Sequence, residues 1–446
     1  MLSHNVLFLL IDGLRADKCH GETKTSITPN IDSLIKQSMY FTKSFSCADG
    51  TFLSLNSIFN GVYPFRTGVR TKKLILLDNN FFKIFQNEGY HVYGIVPQLT
   101  SFSALAGNFE NVNASFNAEP PAEHLFDGLG EKIINLLSSK MTEPWICYIH
   151  IMDLHWPLTV PKNFDHEQYG YSKYERIISS IDFWIGKIME KINIKNTLVV
   201  MTADHGAPIP VLNKDITTFE PTLTNEIKIG KKLIPSSIQP ITTKLLQFYK
   251  DIIRMIKVKL ADRNLTQYEK RSRLPYFTLS LYDELIHVPL IFAGCNIKST
   301  FVNKQVCSID IFPTIIDIIK INHKPDTIDG NSLIPTISDS NFEEKSIYLH
   351  TMPYEKISSH DSVGIRTSNY KYFRSSHDPK KNIHLYNLTN DPQENKNIAK
   401  IQPQLVDNFE KQIVKITSNI IKKNVQETDD EEIAKIKNEL KKLGYL

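Results

Sequence analysis

The chain has 446 residues, 41% of them hydrophobic and 22% charged, with a formal net charge of +4. That composition suits a folded globular protein and excludes one kept disordered by charge, and a balance of 52 Lys+Arg against 48 Asp+Glu makes no case for nucleic acid as a partner. The cysteines, Cys19, Cys47, Cys147, Cys295 and Cys307, are scattered without a CxxC pair, which points away from a disulfide framework and from a cysteine zinc site.

The first apolar run, "NVLFLLI" (5–11), ends in Asp12-Gly13 and has neither a basic leader nor a small-residue cleavage site. It reads as a buried strand and not as a signal peptide, and the expected location is cytoplasmic. "HVYGIV" (91–96), "WICYIHI" (145–151), "TLVVMTA" (197–203) and "VPLIFAG" (288–294) read as further buried strands. Between them "TPNIDSLIKQS" (28–38), "NNFFKIFQNEGY" (79–90) and "YERIISSIDFWIGKIMEKI" (174–192) have helical spacing. The class expected is α/β: a central, mostly parallel sheet with helices on both faces.

From Val211 to about Lys270 the alternation stops and an insertion is expected. Within it Ile241, Leu245, Phe248, Ile252 and Ile256 share one helical face, with Lys250, Arg254 and Lys257 opposite. Packing on its own domain is the expected role of this 241–260 helix; peripheral contact with the inner face of a membrane is the alternative. After Asp317, "KSIYLHTM", "VGIRTS" and "YKYFRSS" read as short strands of a smaller lobe, followed by the turn-rich "LYNLTNDPQENKNIA" and a charged C-terminal helix. The expected organisation is a catalytic domain over 1–320 with the insertion at 211–270, a small-sheet subdomain over 321–400 and a helical tail over 401–446. The pattern implies no particular oligomeric state.

In such sheets ligands bind beyond the carboxyl ends of the strands, where this chain places Asp12, Asp153 with His155, and Asp204-His205. Any one Asp there is more often a turn or capping residue, but together these groups form a candidate site. Asp12, Thr51, Asp204 and His205 offer carboxylates, an imidazole and a hydroxyl, a plausible shell for one divalent cation. The imidazole favours Mn, Zn or Mg over Ca. A cation would make the Thr51 hydroxyl a competent nucleophile; taken alone, Thr51 is equally a helix N-cap for "FLSLNSIFNG".

At these residues the sequence resembles the sulfatase branch of the alkaline phosphatase superfamily. The resemblance is carried by "NVLFLLIDGLRADKCHG", "TPNIDSLIKQSMYFTKSFSCADGTFLSLNSIFNGVYPFRTGV", "CYIHIMDLHWP", "NTLVVMTADHG", "LYDELIHVPLIFAG", "SIDIFPTIIDII", "IDGNSLIP", "NYKYFR", "LYNLTNDPQENKNIA" and "LKKLGYL". It implies a large α/β domain, a smaller C-terminal sheet lobe and a metal-assisted covalent intermediate. By that resemblance Asp12, Asp204 and His205 match metal-ligand positions, Thr51 the nucleophile and His155 a substrate-contacting histidine.

The departures are as informative. Where sulfatases of this family carry Cys-x-Pro-Ser-Arg, with the cysteine converted to formylglycine, this chain has "TFLSL", and no aldehyde can be made from Thr51. Cys47 lies four residues too early to replace it. The paired Asp-Asp after the first strand is Asp12-Gly13 here, the lysine after the strand matching "HVYGIV" is Pro97-Gln98, and a basic residue expected before Tyr282 is missing or displaced. Threonine at the nucleophile resembles the phospho-transferring relatives, which form a phosphothreonine resolved by water or an acceptor alcohol. Asp153, His150, His155, His287 and His350 are further candidate ligands, though one ion is expected.

The expectation is therefore a metal-dependent hydrolase or transferase of phosphoesters with Thr51 as nucleophile, acting on an anionic substrate that could be glycan- or lipid-linked. Sulfate-ester hydrolysis without formylglycine and a non-catalytic binding protein on the same scaffold are the alternatives.

Overall fold

The structure is a computed structural model that describes residues 4–68, 74–119, 121–209, 265–272, 280–322, 325, 327–338, 343–351, 361–418, 434–435 and 438–439. The helix expected over 241–260, most of the insertion around it and most of the charged C-terminal helix lie outside these residues. The chain forms two compact units, one of Met1–Ala207, Leu279–Pro392 and Asn397–Leu446, the other of Pro208–Thr278 and Gln393–Lys396.

In the first unit eight strands make one sheet in the order β4-β3-β5-β1-β6-β7-β2-β8. They are β1 (Asn5–Ile11), β2 (Ser38–Phe45), β3 (His91–Pro97), β4 (Ser115–Phe116), β5 (Trp145–Ile151), β6 (Thr197–Thr202), β7 (Leu290–Ala293) and β8 (Thr300–Cys307). β1 lies between β5 and β6 and is parallel to both, whereas β7 runs antiparallel to its neighbours β6 and β2. Every residue of β1, β5 and β6 is buried, which is why those segments read as unbroken apolar runs and not as alternating ones.

The expected helices form as α1 (Pro29–Lys36), with Pro at its first turn, α3 (Phe81–Asn87), whose Asn80 side chain caps the Lys83 N–H, and α5 (Lys173–Met189). α5 opens on a reciprocal capping box between Ser172 and Glu175. Between α3 and α5 lies α4 (Leu129–Ser138), and between α1 and α3 lies α2 (Thr51–Asn60), closed by Gly61 at φ 65°. Glycine takes that left-handed turn without strain, and a Cβ there would stand 2.7 Å from Ile328. Phe59 of α2 packs edge-on against Phe8 of β1 and Tyr148 of β5, their centroids 6.0 and 5.1 Å away, so α2 is seated on the face of the sheet that carries Phe8 and Tyr148.

The smaller sheet follows in the same unit: β9 (Ile347–His350), β10 (Ser362–Arg366), β11 (Tyr370–Ser375) and β12 (His384–Asn387), all antiparallel. The segment read as turns from Leu385 on thus contributes a fourth strand before its turn. Alternation along β11 decides the packing. Phe373 joins Phe45, Leu281 and Cys307 of the main sheet region, while Tyr372 faces Phe409 and Ile413 of α7 (Pro403–Thr417). α6 (Ile311–Ile319) follows β8.

In the second unit, the described residues include the short helix Gln267–Ser272. Its Tyr268 N–H donates to the Asn395 side chain, and Arg271 donates to the carbonyls of Gln393 and Glu394.

A buried ionic cluster ties β10 and β11 to the segment before β7. Asp283 accepts from Arg366 Nη2 at 2.7 Å and from Lys371 Nζ at 2.6 Å, and Arg366 also lies over the Phe45 ring at 3.4 Å. Burial pushes the Asp283 pKa up, but Arg366 and Lys371 outweigh it and hold the carboxyl far below its ordinary 3.8. A carboxyl depressed in the folded state stabilises the fold above its unfolded pKa and loses that contribution as pH falls through the folded value. Asp283→Asn, which strands buried cations, is expected to cost about 3–5 kcal/mol at neutral pH in urea unfolding. Below about pH 4 the gap to wild type is expected to narrow.

Candidate active site

The strand register sets the site. Leu10 pairs with His150 on one side and with Thr202 on the other, so two residues further on Asp12 and Asp204 stand beside each other beyond the carboxyl edge. Both side chains are buried, with Asp204 at 0% exposure. Asp204 Oδ1 accepts from the N–H groups of Gly13 (3.1 Å) and His205 (2.8 Å), while its buried Oδ2 accepts no hydrogen bond from the described residues. Gly13 turns the chain there at φ 71°, a conformation glycine takes without strain.

Thr51 approaches from α2. Gly50 is the N-cap, Thr51 is the first helical residue, and the threonine side chain makes no capping bond. Its reading as an N-cap is corrected accordingly: the hydroxyl points into the site, where Oγ1 lies 3.3 Å from Asp12 Oδ2 and 3.2 Å from His205 Nε2. His205 donates its Nδ1–H to the Gly206 carbonyl at 2.6 Å, which leaves a lone pair on Nε2 facing Thr51. His205 Nε2 is also 3.8 Å from Asp12 Oδ1 and 3.6 Å from Asp204 Oδ2. One hydroxyl proton thus faces several lone pairs, the excess of acceptors that a cation satisfies.

The electrostatics agree. Burial alone would raise the pKa of both acids. For Asp12 the hydrogen bond from His150 and the charges of His205 and His155 outweigh burial and lower it; for Asp204 burial and repulsion from Asp12 prevail and raise it. Burial would lower the pKa of His205, but Asp204 and Asp12 outweigh it and raise it. Asp12, His150 and Asp204 each present a ligand atom within 4.8 Å of the others, and the described residues can therefore hold a metal ion.

His155 is half-buried after β5 and donates Nδ1–H to the Trp156 carbonyl at 2.9 Å. Burial lowers its pKa against the pull of Asp12. It borders a pocket of about 160 Å³ lined also by Phe116, Glu123, His124 and Trp156. Asp153 does not join the site: its Oδ1 accepts from Leu125 N–H at 3.1 Å, and burial, only partly offset by His124 and that hydrogen bond, raises its pKa to about 6. His287 is stacked on Phe45 and donates Nε2–H to the Thr42 carbonyl, also away from the site. His350 lies in β9, where its N–H bonds the Cys47 carbonyl. Cys47 is buried behind β2 against Ser308, consistent with its exclusion as nucleophile.

His150 is the group that sequence reasoning weighed only as one of several extra donors. Its signal was a histidine inside the wholly apolar "WICYIHI", two residues from a tyrosine on the same strand face.

A mixed sheet with acids and imidazoles gathered beyond its carboxyl edge, and a hydroxyl delivered on the first turn of a helix, defines the alkaline phosphatase-like class. The Sulfatase family model matches residues 4–321, and the chain belongs to that family. A second model, N-sulphoglucosamine sulphohydrolase, C-terminal, matches 276–421. Arylsulfatase K of Mus musculus is 23% identical over 292 residues, which cover 62% of this chain and 50% of that protein. The chain thus spans about half the length of that curated relative. Among solved structures, a putative sulfatase from Bacteroides thetaiotaomicron has a TM-score of 0.66 at 17% identity, covering 97% of this chain and 96% of its own. The phosphonate monoester hydrolase of Agrobacterium radiobacter has a TM-score of 0.65 at 14% identity, with 93% and 95% covered. These likenesses establish the fold.

Mn(II) at about a hundred times its dissociation constant should stabilise the protein by about 2.7 kcal/mol, read as a rise in melting temperature. Asp204→Asn should abolish that rise.

Proposed function

We propose that this sulfatase-family protein is a metal-dependent hydrolase or transferase of phosphoesters that works through a covalent phosphothreonine at Thr51. The observation that carries the reading is the Thr51 hydroxyl, set on the first turn of α2 and within 3.3 Å of Asp12 and 3.2 Å of His205, where no formylglycine can form. Asp12, Asp204, His205 and the hydroxyl would hold the cation, which supplies a Lewis acid that lowers the proton affinity of the hydroxyl and offsets negative charge on the group in transfer.

The chain's own residues account for the rest. As Thr51 Oγ1 attacks phosphorus, its proton passes to Asp12 Oδ2, to which it already donates, and the bond to the leaving oxygen breaks. The backbone N–H groups of the first turn of α2 face the developing charge. His155, on the pocket side, protonates the leaving oxygen. Water or an acceptor alcohol then attacks the phosphothreonine and regenerates Thr51.

The charged or ionisable side chains bonded or paired to the Thr51 hydroxyl and to the Asp12 and Asp204 carboxylates are the imidazoles of His150 and His205. That modest positive charge favours a singly charged group, such as a phosphodiester, over a doubly charged monoester. Unpaired thiols at all five cysteines support a reducing compartment, and no helix among the described residues is long and apolar enough to cross a membrane.

A second reading, sulfate-ester hydrolysis with Thr51 in place of formylglycine, is favoured by the arylsulfatase relative. A panel of aryl phosphodiester, phosphomonoester and sulfate substrates separates the two. Turnover of the diester is expected; turnover of sulfate alone would overturn the phosphoryl reading. Thr51→Ala should lose at least about a thousandfold in kcat, and intact mass should show a phosphate adduct on wild type only. His155 acts as an acid only when protonated, and its pKa lies below the ordinary 6.5. With alkyl leaving groups kcat should therefore fall as pH rises through that range, and His155→Asn should flatten this limb.

A further inference from the structure

Beneath Asp12 a polar chain runs into an otherwise apolar core. Tyr148 and His150 stand two apart on β5, and both are wholly buried. Tyr148 is enclosed by Phe8, Phe59 and Phe82, and His150 lies edge-on to Phe102. The phenol oxygen is 2.8 Å from His150 Nδ1, and His150 Nε2 is 3.4 Å from Asp12 Oδ2.

Proton accounting decides what this imidazole does. Among the described residues the Tyr148 phenol has one polar partner at hydrogen-bonding distance, His150 Nδ1. Were Nδ1 protonated, Nδ1–H would donate to the phenol oxygen and the phenol's own hydrogen would be left without an acceptor in the core, a serious cost for a buried donor. The phenol therefore donates to Nδ1, and Nε2 carries the hydrogen. An Nε2–H cannot bind a cation; it donates to Asp12 Oδ2 instead. Thr51 Oγ1 donates to that same oxygen, whereas Oδ1 is the one turned towards His205 Nε2.

We propose that His150, although its ring nitrogen lies close enough to Asp12 and Asp204 to pass for a metal ligand, is a positioning residue. Locked by Tyr148, it holds Asp12 Oδ2 and thereby aims Oδ1 at the cation. The inference rests on the metal-site reading above and goes beyond it by dividing the histidines around Asp12 into His205, which faces the ion, and His150, which orients a ligand. A hydrogen bond from behind fixes the orientation of a ligating carboxylate.

The test uses the full chain with Mn(II) as the probe. Free-ion electron paramagnetic resonance gives the dissociation constant, and electron spin echo modulation of the saturated protein reports directly coordinated imidazole nitrogen. His150→Phe should raise the dissociation constant about 10–100-fold while the nitrogen modulation of the bound ion stays as in wild type. His150→Gln, whose amide can still donate to Asp12, should recover most of the affinity. Tyr148→Phe, a nearly isosteric change that serves even if His150→Phe fails to fold, should weaken binding by about two- to tenfold. Loss of nitrogen modulation in either His150 variant would make His150 a ligand and overturn the proposal. Unchanged affinity in His150→Phe, or in Tyr148→Phe, would overturn it as well. A wild-type protein that takes up no Mn(II) would instead reject the metal-site reading on which this one stands.

Discussion

Two carboxylates forced together out of water are the constraint on which the site depends. Asp12 and Asp204 are neighbours because β1 and β6 are parallel and in register, and neither side chain can turn to solvent from its buried position. Like charges at such range in a poorly polarisable interior are strongly unfavourable, and their opposite pKa shifts express it. The surrounding groups answer that charge. Backbone N–H groups of Gly13 and His205 cover one oxygen of Asp204, imidazoles flank Asp12, and the Thr51 hydroxyl on the first turn of α2 donates to Asp12. What is left over is a set of lone pairs that converge, and a divalent cation is the natural counter-charge.

Packing far from the chemistry delivers the nucleophile. The position of Thr51 follows from Phe59, two turns further along α2, wedged between Phe8 and Tyr148 on one sheet face. The same face carries His150 and, one step beyond the strand, Asp12. A single alternation along β1 and β5 therefore both seats the helix and places His150 and Asp12 on the same face. The C-terminal lobe is held differently, by the Asp283, Arg366 and Lys371 cluster together with the apolar contacts of Phe373 and Tyr386 on Phe45 and Cys307. Phe45 ends β2 just before Cys47 and the turn into α2, and the lobe braces the strand that leads to Thr51.

Much of this was legible along the chain. Strands buried on both faces need apolar side chains at every position, which is why β1, β5 and β6 stood out and why the residues after them could be named as the site. β2 and β8 were missed because "SMYFTKSF" and "TFVNKQVC" mix polar and charged residues into the run; they pair with each other towards one edge of the sheet, where part of each strand meets water. β12 was hidden for a related reason. "HLYN" buries only its middle residues and runs straight into a turn, so its composition reads as loop. Asp153 was over-read, since an acid after a strand satisfies a backbone N–H as readily as it faces a ligand, and local sequence does not say which.

The amino-acid sequence by itself determined the α/β class, the places of the inner strands along the chain and the residue types at their carboxyl ends, because burial and hydrogen-bond periodicity act over a few neighbouring residues. Only the tertiary structure decided which of those groups meet. Whether Thr51 caps its helix or faces the acids depends on where Gly50 ends the loop. Whether His150 or Asp153 reaches the Asp12 carboxylate depends on strand register, and the hydrogen His150 offers depends on a phenol two residues away that can give its proton in only one direction. Those choices are settled by contacts between segments more than a hundred residues apart, such as Asp12 with His150 and Gly13 with Asp204, and no local pattern encodes them.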